Sequence, residues 1–391
     1  MVTRAARGTL PLKLIFVAHF HEMGGGAEAV FDEYVRIISQ EADDVEVLVV
    51  VPALGNVSDR MTRYGAKVTV VSQPRWADFG SMTPFKTFTR MIWISSRIWA
   101  ARRLIKRWRP DVVLTNTMTI PAFAVAARTL KVPHVWMIHE FGKRDHDLSF
   151  VLGYRRTIRL IGRLSAQVIC CSNAVRDELA LSGISRTKLI TVYCATDTAT
   201  VCESLMERKS YERLRTIVVG RIAPSKGQLL ALQGISEARE TGADVTIDFV
   251  GSEFDSEYVA MIRSLHMDGV RFIGYLNDPT PYYCHADVAL MCSSDEAFGL
   301  VTVEAMRLGL PVIGIDSGGT NEIIVDGRTG YLIPPNDPSA LAGKLRRFWA
   351  DEEMRSKLGR QAQADALERF SPIQAMNELL EVCRAVQRTI G

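Results

Sequence analysis

Short apolar runs rich in β-branched residues alternate with helical stretches along most of the chain. In the first half the runs cover residues 12–18, 45–51, 68–71, 112–115, 134–138 and 168–171. The rhythm then restarts, with runs at 216–219, 245–250, 270–273, 288–292, 311–315 and 330–333. Near-continuous apolar strands that alternate with helices are typical of parallel sheets covered by helices on both faces. The pattern therefore predicts an α/β protein with two doubly wound, Rossmann-like parallel-sheet domains.

The domain limits follow from the places where this pattern breaks. Polar and charged residues interrupt it at 197–214, which we interpret as the link between a first domain (1–196) and a second (197–371). Residues 372–388 predict an amphipathic helix with apolar Ala375, Leu379, Val382 and Val386, within a C-terminal segment 372–391 assigned to the first domain. The length of 391 residues also favours two domains, because a single core rarely grows so large.

Composition narrows the class of protein. With 47% hydrophobic and 23% charged residues, the chain is neither mainly disordered nor fibrous. No apolar run approaches the roughly 18 residues that span a bilayer. Residues 1–9 are interpreted as a loose tail rather than a signal peptide, because Lys13, His19 and Glu22 interrupt or closely follow the first apolar run. Seven cysteines without framework spacing indicate buried thiols in a reducing cytosol, which predicts a cytoplasmic protein.

The net charge of +3 conceals an asymmetry between the two halves. Residues 1–200 hold 27 Lys and Arg against 17 Asp and Glu, whereas residues 201–391 hold 20 against 27. Such a division predicts that the first half meets an anionic partner.

Two glutamates eight positions apart mark the most informative segment, residues 293–306 (SSDEAFGLVTVEAM). Glu296 precedes a Phe-Gly step at which a helix could begin, and Glu304 would lie inside that helix. A loop carboxylate followed by open backbone N–H groups suits a ligand rich in hydroxyls with anionic groups nearby. The alternative is a solvated surface helix with two incidental acids.

A glycine-rich turn, Gly24 to Gly26, follows the first predicted strand and precedes a helix. Such a turn lets the backbone approach a ligand closely, and the helix N-terminus favours negative charge. Gly24, Gly26 and Ala29 also fit the dinucleotide pattern G-x-G-x-x-A. That oxidoreductase interpretation needs an acid at the end of the second strand, where residues 49–54 (VVVPAL) carry none.

Two further segments place chemistry at the ends of predicted strands. Arg221 and Lys226, in VGRIAPSKG (219–227), could together neutralise a diphosphate, although a solvated basic turn is the alternative. His139, in WMIHEF (136–141), directly follows a strand, where functional residues of α/β folds gather. Taken alone, it is better explained as a structural histidine.

Together these segments resemble the retaining GT-B glycosyltransferases of family four, which use nucleotide-sugar donors. The resemblance covers nearly the whole chain and rests on GGGAE (24–28), WMIHEF, VGRIAPSKG, and SSDEAFGLVTVEAM continuing through residues 307–337. It implies the GT-B fold, in which two Rossmann-like domains face each other across a cleft that holds the active site. One departure is the family's frequent Asn-Gly-Val-Asp turn, replaced here by Cys194-Ala195-Thr196-Asp197. No role is therefore carried onto that turn.

The resemblance also implies roles for single residues. Arg221 and Lys226 would hold the donor diphosphate, and Glu304 would take the ribose hydroxyls. Glu296 would contact hydroxyls of the donor sugar, assisted by a set of neighbouring backbone N–H groups. His139 would lie beside the reacting sugar and the acceptor. The assisting N–H groups belong to Phe298, Gly299 and Leu300, and the phosphate-facing glycines of the first domain are Gly25 and Gly26.

No metal ion or cofactor is predicted. Asp145-His146-Asp147 matches a metal-binding D-x-D pattern, but its place among Lys143 and Arg144 favours a solvated loop. His19, His21 and Glu22 lack the helical spacing of a zinc motif. The Arg221 and Lys226 pair already supplies the positive charge that a donor diphosphate requires.

A basic, tryptophan-bearing stretch at 86–109 contains no acidic residue, and a second basic run follows at 155–163. Cationic helices with tryptophan can lie in the headgroup region of anionic membranes. The alternative is that the apolar positions pack on the sheet while the arginines are solvated; these positions are Met91, Ile94, Ile98, Ala101 and Ile105. The charge of the first half tips the interpretation slightly toward a membrane surface or an anionic acceptor. No nucleic-acid reading motif is present.

The sequence thus leads to a retaining, metal-independent transferase that moves a sugar from a nucleotide-diphosphate sugar to an acceptor hydroxyl. The acceptor would be a sugar, a lipid-linked sugar or a small molecule, in cell-surface polysaccharide or glycolipid assembly. Two alternatives share the architecture: a GT-B epimerase or phosphorylase-like enzyme, and a non-catalytic nucleotide-sugar-binding partner.

Overall fold

The computed structural model describes residues 11–80, 83–195, 197 and 213–389. The interpreted N-terminal tail and most of the interpreted link therefore lie outside the described residues. The chain divides into two compact units: Met1–Thr196 with Pro372–Gly391, and Asp197–Ser371.

The first unit is built on a seven-stranded parallel sheet with a small antiparallel pair beside it. Its strands are β1 (Leu12–Val17), β2 (Val45–Val51), β3 (Lys67–Val70), β4 (Ala77–Phe79), β5 (Val112–Thr115), β6 (His134–Ile138), β7 (Leu148–Phe150), β8 (Gln167–Cys170) and β9 (Leu189–Thr191). Its helices are α1 (Gly26–Glu41), α2 (Asn56–Arg63), α3 (Pro84–Trp108), α4 (Ala122–Thr129), α5 (Tyr154–Leu164), α6 (Asn173–Leu181) and, from the C-terminus, α14 (Pro372–Arg388). The sheet order is β3-β2-β1-β5-β6-β8-β9, and β4 pairs with β7.

The second unit repeats the plan with a six-stranded parallel sheet. Its strands are β10 (Leu214–Val219), β11 (Val245–Val250), β12 (Val270–Gly274), β13 (Val288–Met291), β14 (Val312–Ile315) and β15 (Gly330–Ile333). Its helices are α7 (Gln228–Glu240), α8 (Ser256–Arg263), α9 (Thr280–His285), α10 (Leu300–Arg307), α11 (Thr320–Ile323), α12 (Pro338–Ala350) and α13 (Glu352–Arg369). The sheet order is β12-β11-β10-β13-β14-β15.

The prediction of two doubly wound parallel sheets is confirmed. β5, β6, β13 and β14 are buried along their whole length, as expected for strands covered on both faces. In each sheet the strand order reverses between two central strands, β1 and β5 in the first unit and β10 and β13 in the second. Ligands of doubly wound folds bind at such switch points, beyond the carboxyl ends of the strands.

The predicted C-terminal helix is confirmed as α14. Its apolar residues Ala375, Leu379, Val382 and Val386 are buried. The helix packs against α1, and Arg384 Nη2 donates to Asp44 Oδ2 at 2.7 Å.

The prediction of buried thiols is confirmed for five cysteines and wrong for one. Cys170, Cys171, Cys194, Cys292 and Cys383 are buried and free. Cys284 is half-buried and forms a disulfide, which the scattered spacing did not indicate. Among the residues described, no helix is both long enough and apolar enough to cross a bilayer.

Candidate functional site

The loops that follow β10 and β13 lie at the switch point of the second unit. They carry the residues predicted to bind the sugar donor. Lys226 lies in a 3-10 turn, Pro224–Lys226, and Glu296 lies in the loop between β13 and α10. Lys226 Nζ donates to Glu296 Oε2 at 2.7 Å, and both side chains are largely shielded from solvent. The structure thus joins two of the predicted site residues that are 70 positions apart in sequence.

Glycines allow these loops to approach so closely. Gly227 adopts φ +69°, and a Cβ there would overlap the carbonyl oxygen of Cys292 at the end of β13. Gly318 lies against the backbone carbonyl of Glu296 in the same way, and Gly319 N donates to that oxygen at 2.8 Å. The position of Glu296 is therefore fixed by backbone contacts on two sides.

Arg221 follows β10 directly and is half-buried. Its guanidinium lies 4.8 Å from the ring centroid of Phe254, and Gln228 Nε2 donates to its backbone carbonyl at 2.9 Å. Stacking on an aromatic face orients the planar guanidinium.

Helix α10 begins directly after the predicted Phe-Gly step, with Gly299 as its N-cap residue. The first-turn N–H groups of a helix have no partner within the helix, and they carry partial positive charge. The N–H of Leu300 belongs to that turn, whereas Phe298 and Gly299 lie immediately before it. The prediction of an N-terminal helix end at this position is confirmed.

Glu304 lies one turn inside α10 and is half-buried. Tyr283 Oη lies 3.5 Å from Glu304 Oε2 and donates to the backbone carbonyl of Val301 at 3.3 Å. Burial raises the pKa of the Glu304 carboxyl to about 7, with a smaller contribution from the negative charge of Asp278. At neutral pH this group therefore exists in both protonation states. Tyr283 was not predicted as a site residue, because its contact with Glu304 joins two separate helices.

In the first unit, His139 holds hydrogen bonds on both ring nitrogens. Its Nε2 lies 2.7 Å from Asn116 Oδ1, and the Asn116 amide nitrogen donates to Ala27 O at 3.2 Å. Its Nδ1 lies 3.5 Å from Cys194 Sγ. These contacts connect the ends of β5 and β6 to the first turn of α1, so the structure places His139 near the glycine turn that contains Gly25 and Gly26.

This network fixes the protonation of His139. Burial lowers the pKa of the imidazole to about 4 and raises the pKa of the Cys194 thiol to about 12. At neutral pH the imidazole is uncharged; Nε2–H donates to the Asn116 carbonyl, and the thiol donates to Nδ1. Cys194 lies in the turn that departs from the family pattern, and no role for it was predicted.

Glu140, the neighbour of His139, was also not predicted as a site residue. One carboxylate oxygen accepts from Thr117 Oγ1 at 2.9 Å and from Met118 N at 3.0 Å, and the other accepts from His139 N at 3.0 Å. Burial raises the pKa of this carboxyl to about 7. Glu140 thus ties the loop after β5 to the loop after β6.

The expected solvated loop is present at Lys143, Arg144 and Asp147, which are exposed, but the Asp145 side chain is largely shielded. The Asp145 carboxylate accepts from Phe141 N and Gly142 N, each at 2.8 Å, and so closes the turn after His139. These backbone donors explain its burial, which sequence spacing could not reveal. Within the described ranges, no group of three or more His, Cys, Asp or Glu side chains is arranged to hold a metal ion.

Comparisons with known proteins identify the family of both units. The profile of the family described as "Glycosyl transferases group 1" matches residues 207–365, and that of "Glycosyltransferase Family 4" matches residues 24–200. A glycogen synthase of Mycobacterium tuberculosis is 28% identical over 270 residues, which is 66% of this chain and 64% of that protein. A D-inositol 3-phosphate glycosyltransferase of Streptomyces avermitilis is 42% identical over 165 residues, 39% of this chain and 35% of that protein.

The fold is shared with solved structures. HepE of Anabaena, solved in complex with UDP-glucose, superposes with a TM-score of 0.74 over 96% of this chain and 100% of its own, at 20% identity. At that identity the likeness concerns the fold alone. The matched segments span less than two thirds of the length of the two curated relatives. The two family profiles nevertheless cover both units, and the chain belongs to the group 1, family-four type of glycosyltransferases, which have the GT-B fold.

Proposed function

We propose that this protein is a retaining glycosyltransferase that moves a sugar from a nucleotide-diphosphate sugar to an acceptor hydroxyl without a metal ion. The observation that carries the proposal is the contact between Lys226 and Glu296 at the switch point of the second unit. Arg221 and the start of α10 belong to the same two loops. The UDP-glucose bound by HepE supports this class of donor.

The residues have complementary roles in this proposal. Arg221 and Lys226 bring two positive charges, which match the two negative charges of a nucleotide-sugar diphosphate. Glu304 accepts hydrogen bonds from the ribose hydroxyls, and Glu296 accepts them from the donor sugar. The N–H groups of Phe298, Gly299 and Leu300 supply further positive potential. Gly25 and Gly26 of the first unit approach the phosphates, since they carry no side chain to obstruct them.

The chemical step is a same-face substitution at the anomeric carbon. The bond from that carbon to the β-phosphate oxygen breaks, its electron pair stays on the phosphate, and the acceptor hydroxyl forms the new bond. The hydroxyl proton passes to the departing phosphate. Arg221 and Lys226 stabilise the charge that develops there, which is where fixed electrostatic groups contribute most. His139 is uncharged at neutral pH, so it acts beside the reacting sugar as a hydrogen-bonding group.

The test is turnover of a panel of nucleotide sugars, with and without sugar and lipid-linked acceptors, by the full chain and by Lys226→Ala. We expect a glycosylated product that retains the anomeric configuration, formed in the presence of a chelator. Removing one such charge should lower the rate about 10²–10³-fold. Near-normal turnover by Lys226→Ala would contradict the assignment. Donor isomerisation without an acceptor would indicate an epimerase, phosphate-dependent product a phosphorylase-like enzyme, and donor binding without turnover a non-catalytic partner.

We also propose a cytoplasmic protein that acts in polysaccharide or glycolipid assembly, peripheral to the membrane through residues 86–109 and 155–163. The name of the matched glycogen synthase supports a polysaccharide product. The cationic composition of the two segments supports an anionic surface.

A further inference from the structure

Helix α3 carries a row of large apolar side chains on the face that points away from the core. This row, the outer stripe, consists of Phe85, Phe88, Ile92 and Trp99, whose exposed fractions are 76%, 64%, 57% and 60%. Their spacing of three, four and seven positions places them on one side of the helix. Single exposed apolar residues are ordinary, but four large ones on one side of a helix indicate an interaction surface.

The opposite side of α3 packs on the core of the first unit. Ile94, Ala101 and Ile105 are buried and Ile98 packs half-buried on the same core, as the alternative of packing on the sheet required of these four positions. Met91 is exposed instead. The helix therefore has two apolar sides, and only one of them covers the sheet.

Positive charge continues along the same outer side toward the C-terminal end of α3. The Arg103 guanidinium lies 4.6 Å from the ring centroid of Trp99, and Lys106 and Arg107 follow one turn later, both exposed. Helix α5, which packs like α3 against α4, exposes four more arginines: Arg155, Arg156, Arg159 and Arg163. Neither α3 nor α5 contains an acidic residue.

We propose that α3 lies in the headgroup region of an anionic lipid bilayer, with the outer stripe inserted at the boundary of the acyl chains. Its first half supplies apolar and aromatic side chains, and its last two turns, with α5, supply cations for lipid phosphates. Aromatic residues favour this boundary, and each nearby Lys or Arg strengthens binding to anionic lipid. Charge complementarity selects lipid over a second copy of the chain, because two copies would juxtapose these arginines.

This proposal rests on the membrane association proposed above and names the side of one helix that inserts. It requires neither donor nor acceptor, so its test is separate from that of the transferase activity.

The experiment is flotation of the full-length protein with phosphatidylcholine vesicles that contain or lack phosphatidylglycerol, at low and high salt. The test variant is Phe88→Ser with Ile92→Ser. The matched control is Leu181→Ser with Leu367→Ser, which removes two apolar side chains that are 82% and 52% exposed on other helices. A second variant, Arg103→Gln with Arg107→Gln, removes charge and leaves the stripe intact.

We expect binding only to vesicles that contain phosphatidylglycerol, with partitioning of the stripe variant reduced about tenfold or more. The charge variant should lose about fivefold per cation, and the control should bind like the wild type. Equal binding by all variants, or no binding at low salt, would overturn the proposal. So would a dimer, detected by light scattering, that the stripe variant dissociates without any effect on vesicle binding.

Discussion

The raised pKa of Glu304 predicts that donor affinity depends on pH. If Glu304 binds the ribose as proposed, only its carboxylate form can accept hydrogen bonds from both ribose hydroxyls, because the protonated form must donate one of its own. With a pKa of about 7, the ionised fraction of this group rises from about one tenth at pH 6 to about nine tenths at pH 8. The diphosphate of a nucleotide sugar keeps its charge over this range.

The expected dissociation constant of the donor therefore falls about tenfold between pH 6 and pH 8, equivalent to about 1.4 kcal/mol. Titration calorimetry with the nucleotide sugar at both pH values measures this difference. Binding at pH 7 should also release about half a proton, detectable as a dependence of the heat on the buffer. In Glu304→Gln both effects should vanish, and affinity should stay weak throughout.

Glu140 provides a matched control, because its pKa is also about 7 but it lies in the first unit. Glu140→Gln should retain the pH dependence of donor binding. If Glu304→Gln kept the wild-type dependence, or if Glu140→Gln lost it, Glu304 would not be the ribose acceptor.

Two further substitutions test how the site is held together. Gly227→Ala should lower the melting temperature markedly, because the new side chain meets both a positive φ and a backbone carbonyl. Gly242→Ala is the control: its φ is +94°, nothing is described within 4 Å of the new Cβ, and the melting temperature should fall less. Equal losses of melting temperature would show that the close approach at Gly227 is unimportant. Cys194→Ala should lower kcat/KM about fivefold by removing the hydrogen-bond donor to His139, whereas Cys194→Ser should restore it; equal kinetics of the two variants would remove Cys194 as a positioning residue.

Sequence alone could predict the sheets because buried parallel strands are continuous apolar runs. Val45–Val51 and Val245–Val250 have the predicted limits for that reason. β4, β7 and β9 were missed, since three residues are too short to show a period. The start of α10, Glu296 and Glu304 could be predicted because all three lie in one continuous segment.

The missed features depend on contacts between distant segments or on which side of an element is covered. Tyr283 meets Glu304, and Cys194 meets His139, only after the chain has folded. The outer stripe of α3 could not be distinguished from a core stripe in the sequence, because apolar residues at helical spacing do not indicate which side of the helix faces the sheet. The predicted apolar set even included the exposed Met91.

The ion pair of Lys226 with Glu296 bears on which anions can bind at the loops after β10 and β13. Each side chain of the pair neutralises the charge of the other. An inorganic phosphate that bound the Lys226 ammonium would therefore leave the largely shielded Glu296 carboxylate without its cation. A nucleotide sugar offers hydroxyl donors to the Glu296 carboxylate and phosphate oxygens to the Lys226 ammonium. It can therefore replace the interactions that both side chains lose when the ion pair separates. The ion pair itself would then disfavour the binding of abundant inorganic anions, before any chemistry begins.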